Sequence, residues 1–386
     1  MMKIRKDAVI DFINNLPIVF LFFTIVLHFS SNLYGRIITD EFIGGVILYV
    51  NITYILMIVL FVYFALIKRY SIMNILGIVC VGILLLYLTY QNEDKELLYR
   101  TTIFPYFLLI VLCKDIKYSV LIKTILFAFM VMLLIVFSLS LIGELGFRLI
   151  FANIDRIRYG VGFFWHTFTF ITCFVIYYYV YLRKHAISYS EILLLFIVTV
   201  ISYYLTGTKS CFLYEMCVLI FSLLLKLSKN LPIYKKHYTY ILVVAIFVCT
   251  IGIILVTCFY DENIAWMRFL DSILTGRLNL GNIAVSEYKI TLFGGYKEFI
   301  VSGNGVNYVD SSFLRLLLTY GLVFFLLLEA CLLYFAYLIG KKKDIYMLFI
   351  FTIVIIQSTF DTVTLFTMFY NDFLLVWSYN NSNLDL

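Results

Sequence analysis

Charge is what this sequence has least of. Asp, Glu, Lys and Arg make up 13% of its 386 residues, against ~25% in an ordinary soluble domain. With 63% hydrophobic residues and a mean hydropathy of +1.01, that shortage excludes a soluble globular fold. Proline is nearly missing: Pro17, Pro105 and Pro232 are all there is. Few apolar runs therefore carry the Gly/Pro interruption that marks the discontinuous helices of many transporters. The eight cysteines include no Cys-x-x-Cys pair, and all lie in or beside apolar runs. That excludes a disulfide or zinc framework and leaves them as small buried hydrophobes. A membrane β-barrel is excluded too, because the apolar runs are about twenty residues long rather than ten alternating ones. No internal repeat is visible. The first apolar run lacks a small-residue cleavage site and reads as a span rather than a signal peptide. The net charge of +6 is modest and points to no nucleic acid.

What is present is a succession of long apolar runs. By length they fall at residues 16–31, 44–67, 71–90, 101–113, 118–142, 159–182, 187–205, 211–225, 239–259 and 313–339, with 345–379 long enough for two more. The expectation is an all-α polytopic membrane protein of about twelve transmembrane helices, forming one membrane domain over residues 1–386. One segment leaves the apolar regime for far longer than a helix connection needs. It covers residues 261–311 and carries Arg268, Arg277, Lys289 and Lys297.

Basic residues set the orientation. Lys3/Arg5/Lys6, Lys68/Arg69, Lys114/Lys117/Lys123, Arg183/Lys184, Lys226/Lys229/Lys235/Lys236 and Lys341/Lys342/Lys343 fall in alternate connections. Cytoplasmic loops concentrate such residues, so twelve spans put both termini in the cytoplasm and the 261–311 loop outside. The arginines break this pattern. Arg36, Arg100, Arg148, Arg156, Arg158, Arg268, Arg277 and Arg315 map to the outer side, and only Arg5, Arg69 and Arg183 to the inner. Guanidinium binds phosphate and carboxylate through a planar fork, so an Arg-rich outer face fits an anionic ligand. Pairing with Asp or lipid headgroups would also explain it.

Four stretches hold the candidate chemistry. RIRYGVGFFWHTFTF carries Arg156, Arg158 and His166; a helical reading puts Arg158, Gly162 and Trp165 on one face. His166 is either a general base or a neutral histidine bonded to a neighbouring helix. LTGTKS places Lys209 between two spans, with Glu215 a turn or two below, where a plain salt bridge would account for both. ILTGRLNLGNIAVSEYKITLFGG carries Arg277 and Glu287, which a solvated loop would also explain. VSGNGVNYVDSSFLRLLLTYGLV carries Asp310 and Arg315. Asp310 or Ser311 is expected to cap the following helix, and capping is the expected role of Asp310. Its Gly-Asn-Gly is a weak phosphate-loop signal, with no strand expected before it.

In this order, the motifs R-x-G-x-G-F-x-x-H, LTGTKS, LTGR…TLFG and VDSSFLRLLLTYGLV resemble the Wzy-type polymerases of the O-antigen polymerase and ligase superfamily. This chain has Thr167-Phe168 where many members have Pro-Asn, and Thr208-Lys209 where many have Ser-Arg. The resemblance implies an architecture like that of the multi-span, GT-C-like glycosyltransferases. It implies a substrate too, an oligosaccharide repeat unit on a polyprenyl pyrophosphate at the outer face of the cytoplasmic membrane. An acceptor sugar hydroxyl would attack the anomeric carbon of the growing chain and expel the lipid pyrophosphate. No metal or nucleotide sugar is implied as cofactor. A flippase, a chain-length regulator and membrane lipid are the further partners. Arg158 and Arg277 would hold the pyrophosphate, with Arg156, Lys209 and Arg315 supporting. His166 would take the hydroxyl proton, with Glu287 and Asp310 as competing bases. A ligase capping another acceptor, a polysaccharide flippase or other transporter using a midplane charge such as Glu329, and a scaffold remain alternatives.

Overall fold

The structure, a computed structural model, describes residues 2–30, 33, 38–67, 70–92, 103–146, 149–153, 156–163, 167–228, 236–274, 276–295, 299–301, 305–307, 309–360 and 376–381. The chain forms two compact units. One comprises Met1–Ile83, Thr102–Lys226 and Leu374–Leu386; the other comprises Leu84–Thr101 and Leu227–Phe373.

The first unit contains α1 (Met2–Ser30), α2 (Asp40–Leu66), α4 (Ile103–Leu112), α5 (Tyr118–Leu141), α6 (Thr167–Leu182), α7 (Tyr189–Thr206) and α8 (Lys209–Leu227), and α3 (Ile72–Asn92) begins there. Between α5 and α6 lies an antiparallel hairpin of β1 (Leu149–Asn153) and β2 (Arg156–Tyr159). Its core is aromatic: Tyr118, Phe129, Phe170, Phe174 and Tyr178 are fully buried. Phe29 and Phe129 meet edge to face, ring centroids 5.7 Å apart, a favoured geometry for such pairs.

α7 shows why this is a membrane fold. Its buried stripe is Ile192, Leu195, Thr199, Ser202 and Thr206, whereas Leu193, Leu194, Ile197 and Ile201 are exposed. Thr199, Ser202 and Thr206 turn inward while the outward face is covered by branched aliphatics, the reverse of a soluble amphipathic helix. Inside, the Thr172 and Ser202 hydroxyls meet at 3.1 Å. α7 starts at a capping box: the Ser188 hydroxyl accepts from Glu191 N at 3.1 Å, and the Glu191 carboxylate accepts from Ser188 N. That carboxylate also takes the Tyr179 hydroxyl (2.6 Å) and Arg183 Nε (3.0 Å), which ties the end of α6 to the start of α7. Gly207, at φ +64, ends α7, so the glycine of LTGTKS is a helix stop.

The second unit contains α9 (Lys236–Phe247), a π-helical turn (Val248–Gly252), α10 (Ile253–Cys258), α11 (Ala265–Ile273), α12 (Arg277–Tyr288), the hairpin β3 (Phe299–Val301)/β4 (Gly305–Asn307), α13 (Ser312–Lys342) and α14 (Ile345–Phe360). At the π turn, Thr250 donates to Ile246 O and to Glu329 Oε1, at 2.8 and 3.1 Å. Glu329 is buried on α13.

Six helices among the described residues are long and apolar enough to cross a membrane: Asp40–Leu66, Tyr118–Leu141, Tyr189–Thr206, Lys209–Leu227, His237–Cys258 and Ser312–Lys342. The protein is thus a helical, membrane-embedded, polytopic chain. Among the described residues the helices follow the apolar runs, with four differences. α1 starts at Met2 rather than 16. α6 begins at Thr167, not 159, because Val161 (φ +46) and Gly162 (φ +78) adopt left-handed conformations that end any helix there. The 261–311 segment holds two helices and a hairpin rather than open loop. α13 breaks inside, at Gly321 (φ +82, ψ 178).

Candidate functional site

The geometry around Arg277 starts from the turn that precedes it. Gly276 (φ +84) takes the left-handed conformation, and its N–H donates to Asp271 O at 2.9 Å. The same residue then caps the next helix. Asp271 Oδ1 accepts from Leu278 N (2.8 Å) and Asn279 N (3.2 Å), while Tyr260 OH donates to Oδ2 at 3.3 Å. Two of the unpaired N–H groups that begin α12 are thereby satisfied. Asn282 Nδ2 donates to Thr257 O (3.0 Å) and Cys258 O (3.2 Å), closing the end of α10. Gly281 lets α12 press on α10 and α13, since a Cβ there would lie 2.6 Å from Thr257 Cγ2 and 3.0 Å from Leu314 Cδ2.

Asp271→Ala is expected to lower the thermal midpoint of the detergent-solubilised protein by a few degrees. A lost cap costs about 0.5–2 kcal/mol. Asp271→Asn, which keeps an acceptor oxygen, is expected to recover much of that loss.

Arg277 is held at its far end as well. Its Nε lies 3.0 Å from Asp310 Oδ2, an ion pair without hydrogen-bond alignment, and Nη1 donates to the Phe360 carbonyl at the end of α14. Arg315 follows one turn into α13 and also acts on the Asp310 carboxyl. One carboxylate thus pairs with Arg277 and also feels the charge of Arg315. Burial raises the Asp310 carboxyl from its ordinary value, with Arg277 and then Arg315 pulling the other way. The cap of α13 belongs to Ser311, whose hydroxyl accepts from Leu314 N at 3.4 Å. The expected capping role of Asp310 is therefore corrected: its carboxylate turns to Arg277. Glu287 is exposed on the last turn of α12, about 15 Å along the axis from Arg277 at 1.5 Å per residue.

A second feature joins two of the sequence motifs. Leu322 N and Val323 N, left without helical partners by the break at Gly321, donate to Thr291 O (2.9 Å) and Leu292 O (3.2 Å). TLFG therefore clasps LTYGLV backbone to backbone. A Cβ on Gly294 (φ +80) would lie 2.0 Å from Thr319 O, and one on Gly321 2.4 Å from Leu292 O. A strand does precede the Gly-Asn-Gly, contrary to expectation. It pairs back antiparallel, Val301 with Gly305, which is not the strand–loop–helix of a phosphate loop.

The remaining candidates belong to the first unit. Arg156 and Arg158 lie on β2, paired with Asn153 and Phe151. Arg158 and Gly162 do not share the expected helical face, because Arg158 lies on β2 and Gly162 is left-handed. Gly162 instead packs on α5, where a Cβ would meet Ser140 Oγ and Val136 Cγ1 at 2.6 Å. His166 and Trp165 lie outside the described residues. Lys209 is exposed at the start of α8, Glu215 is 1% exposed, and no ion pair joins them among the described residues. Nor, among those residues, do three His, Cys, Asp or Glu side chains gather to hold a metal ion.

No family model, curated protein or solved structure matches the chain.

Asp271, Phe360 and the 291–294 clasp are the partners that sequence reasoning missed. A signal existed only for the clasp, in the Gly294-Gly295 pair.

Proposed function

We propose that the chain is a Wzy-type polysaccharide polymerase of about twelve spans, with both termini cytoplasmic and residues 261–311 on the outer side. It joins polyprenyl-pyrophosphate-linked repeat units by attack of an acceptor hydroxyl on the anomeric carbon of the donor chain. The observation that carries this reading is the Arg277–Asp310 ion pair beside the starts of α12 and α13, with Arg315 one turn into α13. The departing pyrophosphate gathers negative charge, and cations fixed beforehand stabilise it. An excess of guanidinium over carboxylate on anchored helix starts suits that task. Arg156, Arg158, Lys209 and His166 are proposed as substrate contacts of the first unit. Of the two carboxylates weighed as bases, Asp310 lies beside the cations and Glu287 does not.

A transporter is the second reading, favoured by the break in α13 and by buried Glu329. The break weighs less than it first suggests. Its N–H groups are already taken by Thr291 and Leu292, so the chain itself seals the gap that a substrate would fill.

Lipid-linked glycan profiling with and without the protein separates the readings. The expected result is a ladder of lengths on the carrier that collapses to single units when the protein is removed. Loss of a capped acceptor with the ladder intact would mean ligation. Loss of translocation in a vesicle assay would mean transport.

A further inference from the structure

α11 presents three distinct sectors around its circumference. At about 100° per residue, Met267 and Asp271 share the arc that is buried against the protein, and Arg268 and Ser272 share an exposed polar arc. Trp266, Phe269 and Ile273 share a third arc and are 55%, 68% and 59% exposed. An aromatic and aliphatic stripe turned away from the protein needs a partner.

Where α11 sits decides which partner. It is tied through Asp271 to the first amides of α12. α12 is tied through Asn282 to the last carbonyls of α10, and α10 ends the spanning helix His237–Cys258. These bonds pin α11 to the edge of the membrane. Trp and other amphipathic rings concentrate at that depth, and short amphipathic helices lie there with one face among the upper acyl chains. A second copy of the chain is the poorer fit. Three side chains fall well short of the ~800 Å² per partner that a stable interface needs.

We propose that α11 is an interfacial helix, with Trp266, Phe269 and Ile273 seated between headgroups and acyl chains, and that Asp271 passes this depth on to the Arg277 turn. The inference rests on membrane insertion alone and stands apart from the polymerase reading.

The test uses the full chain in phosphatidylcholine–phosphatidylglycerol vesicles, some with bromine near the headgroup end of the acyl chains. Subtracting the emission of Trp266→Phe from that of the wild type isolates Trp266 from Trp165 and Trp377. That component is expected to lose most of its emission to bromolipid and little to aqueous acrylamide. Strong acrylamide quenching without bromolipid quenching would overturn the proposal, because the face would then meet water. Protection from both quenchers, with a dimer mass, would overturn it in favour of self-association. A second variant, Phe269→Ser/Ile273→Ser, retains Trp266 and is expected to lose most of its bromolipid quenching. Unchanged quenching there would equally count against the idea.

Discussion

Arg277→Ala abolishes chain extension while single repeat units still accumulate on the lipid carrier: this is the first expected result. Arg277 is anchored at both ends, by the Asp271-capped turn and by Asp310 and the Phe360 carbonyl. Its charge is therefore fixed in advance, as the proposed departure of the pyrophosphate requires. Removing one such group from a site of this kind costs about 2.7–4 kcal/mol, roughly 10²–10³ in rate. Arg277→Lys should retain only part of the activity, because ammonium supplies a point charge without the planar fork. The same anchoring gives Arg277 a structural share, as ion-pair partner and as cap of α14. Size-exclusion profile and thermal midpoint of the variant separate the two roles. Long polymer of normal length from a well-folded Arg277→Ala protein would remove Arg277 from the mechanism.

Gly294→Ala and Gly321→Ala are expected to be nearly as damaging for a different reason. Both glycines occupy left-handed conformations, and at both a methyl group would run into backbone atoms of the facing segment at 2.0–2.4 Å. The left-handed conformation alone costs about 1–2 kcal/mol for a residue with a Cβ, and overpacking adds about 1–3. Their sum is a large part of the ~5–15 kcal/mol that holds a typical protein folded. Gly143 is the built-in control, since it shares the left-handed conformation (φ +82) while a Cβ there meets nothing within 4 Å. Thermal midpoints and membrane expression should fall sharply for the 294 and 321 variants and much less for Gly143→Ala. Equal losses at 294 and 143 would mean that the clasp does not hold the two segments together.

The membrane helices were legible because apolar length is a local property. The runs at 44–67, 118–142 and 313–339 became Asp40–Leu66, Tyr118–Leu141 and Ser312–Lys342. What stayed hidden depends on partners distant in sequence. Nothing near Asp271 announces that its carboxylate will cap a helix six residues on, and nothing near Asp310 says that Arg277 will draw it away from capping. α13 reads as one unbroken apolar run because Gly321 is a single residue within it, and the N–H groups its break frees are taken up by residues 291 and 292, twenty-nine or more positions away. The hairpin strands are too short to show a period of two. Of the site itself, the sequence picked out Arg277, Asp310 and Arg315, which the structure brings together. It also named Glu287, which the structure leaves well away from them.

The break at Gly321 also resolves a mismatch of length. At 1.5 Å per residue, the thirty-one residues of α13 would reach about 46 Å, far beyond the ~30 Å of a bilayer's hydrocarbon. The part after Gly321 measures about 31 Å by the same rise and fills that thickness alone. Residues 312–320 are thus surplus to the crossing: a short buried wedge that fixes Arg315 against the polar segment gripping it, while the span proper begins beyond the break.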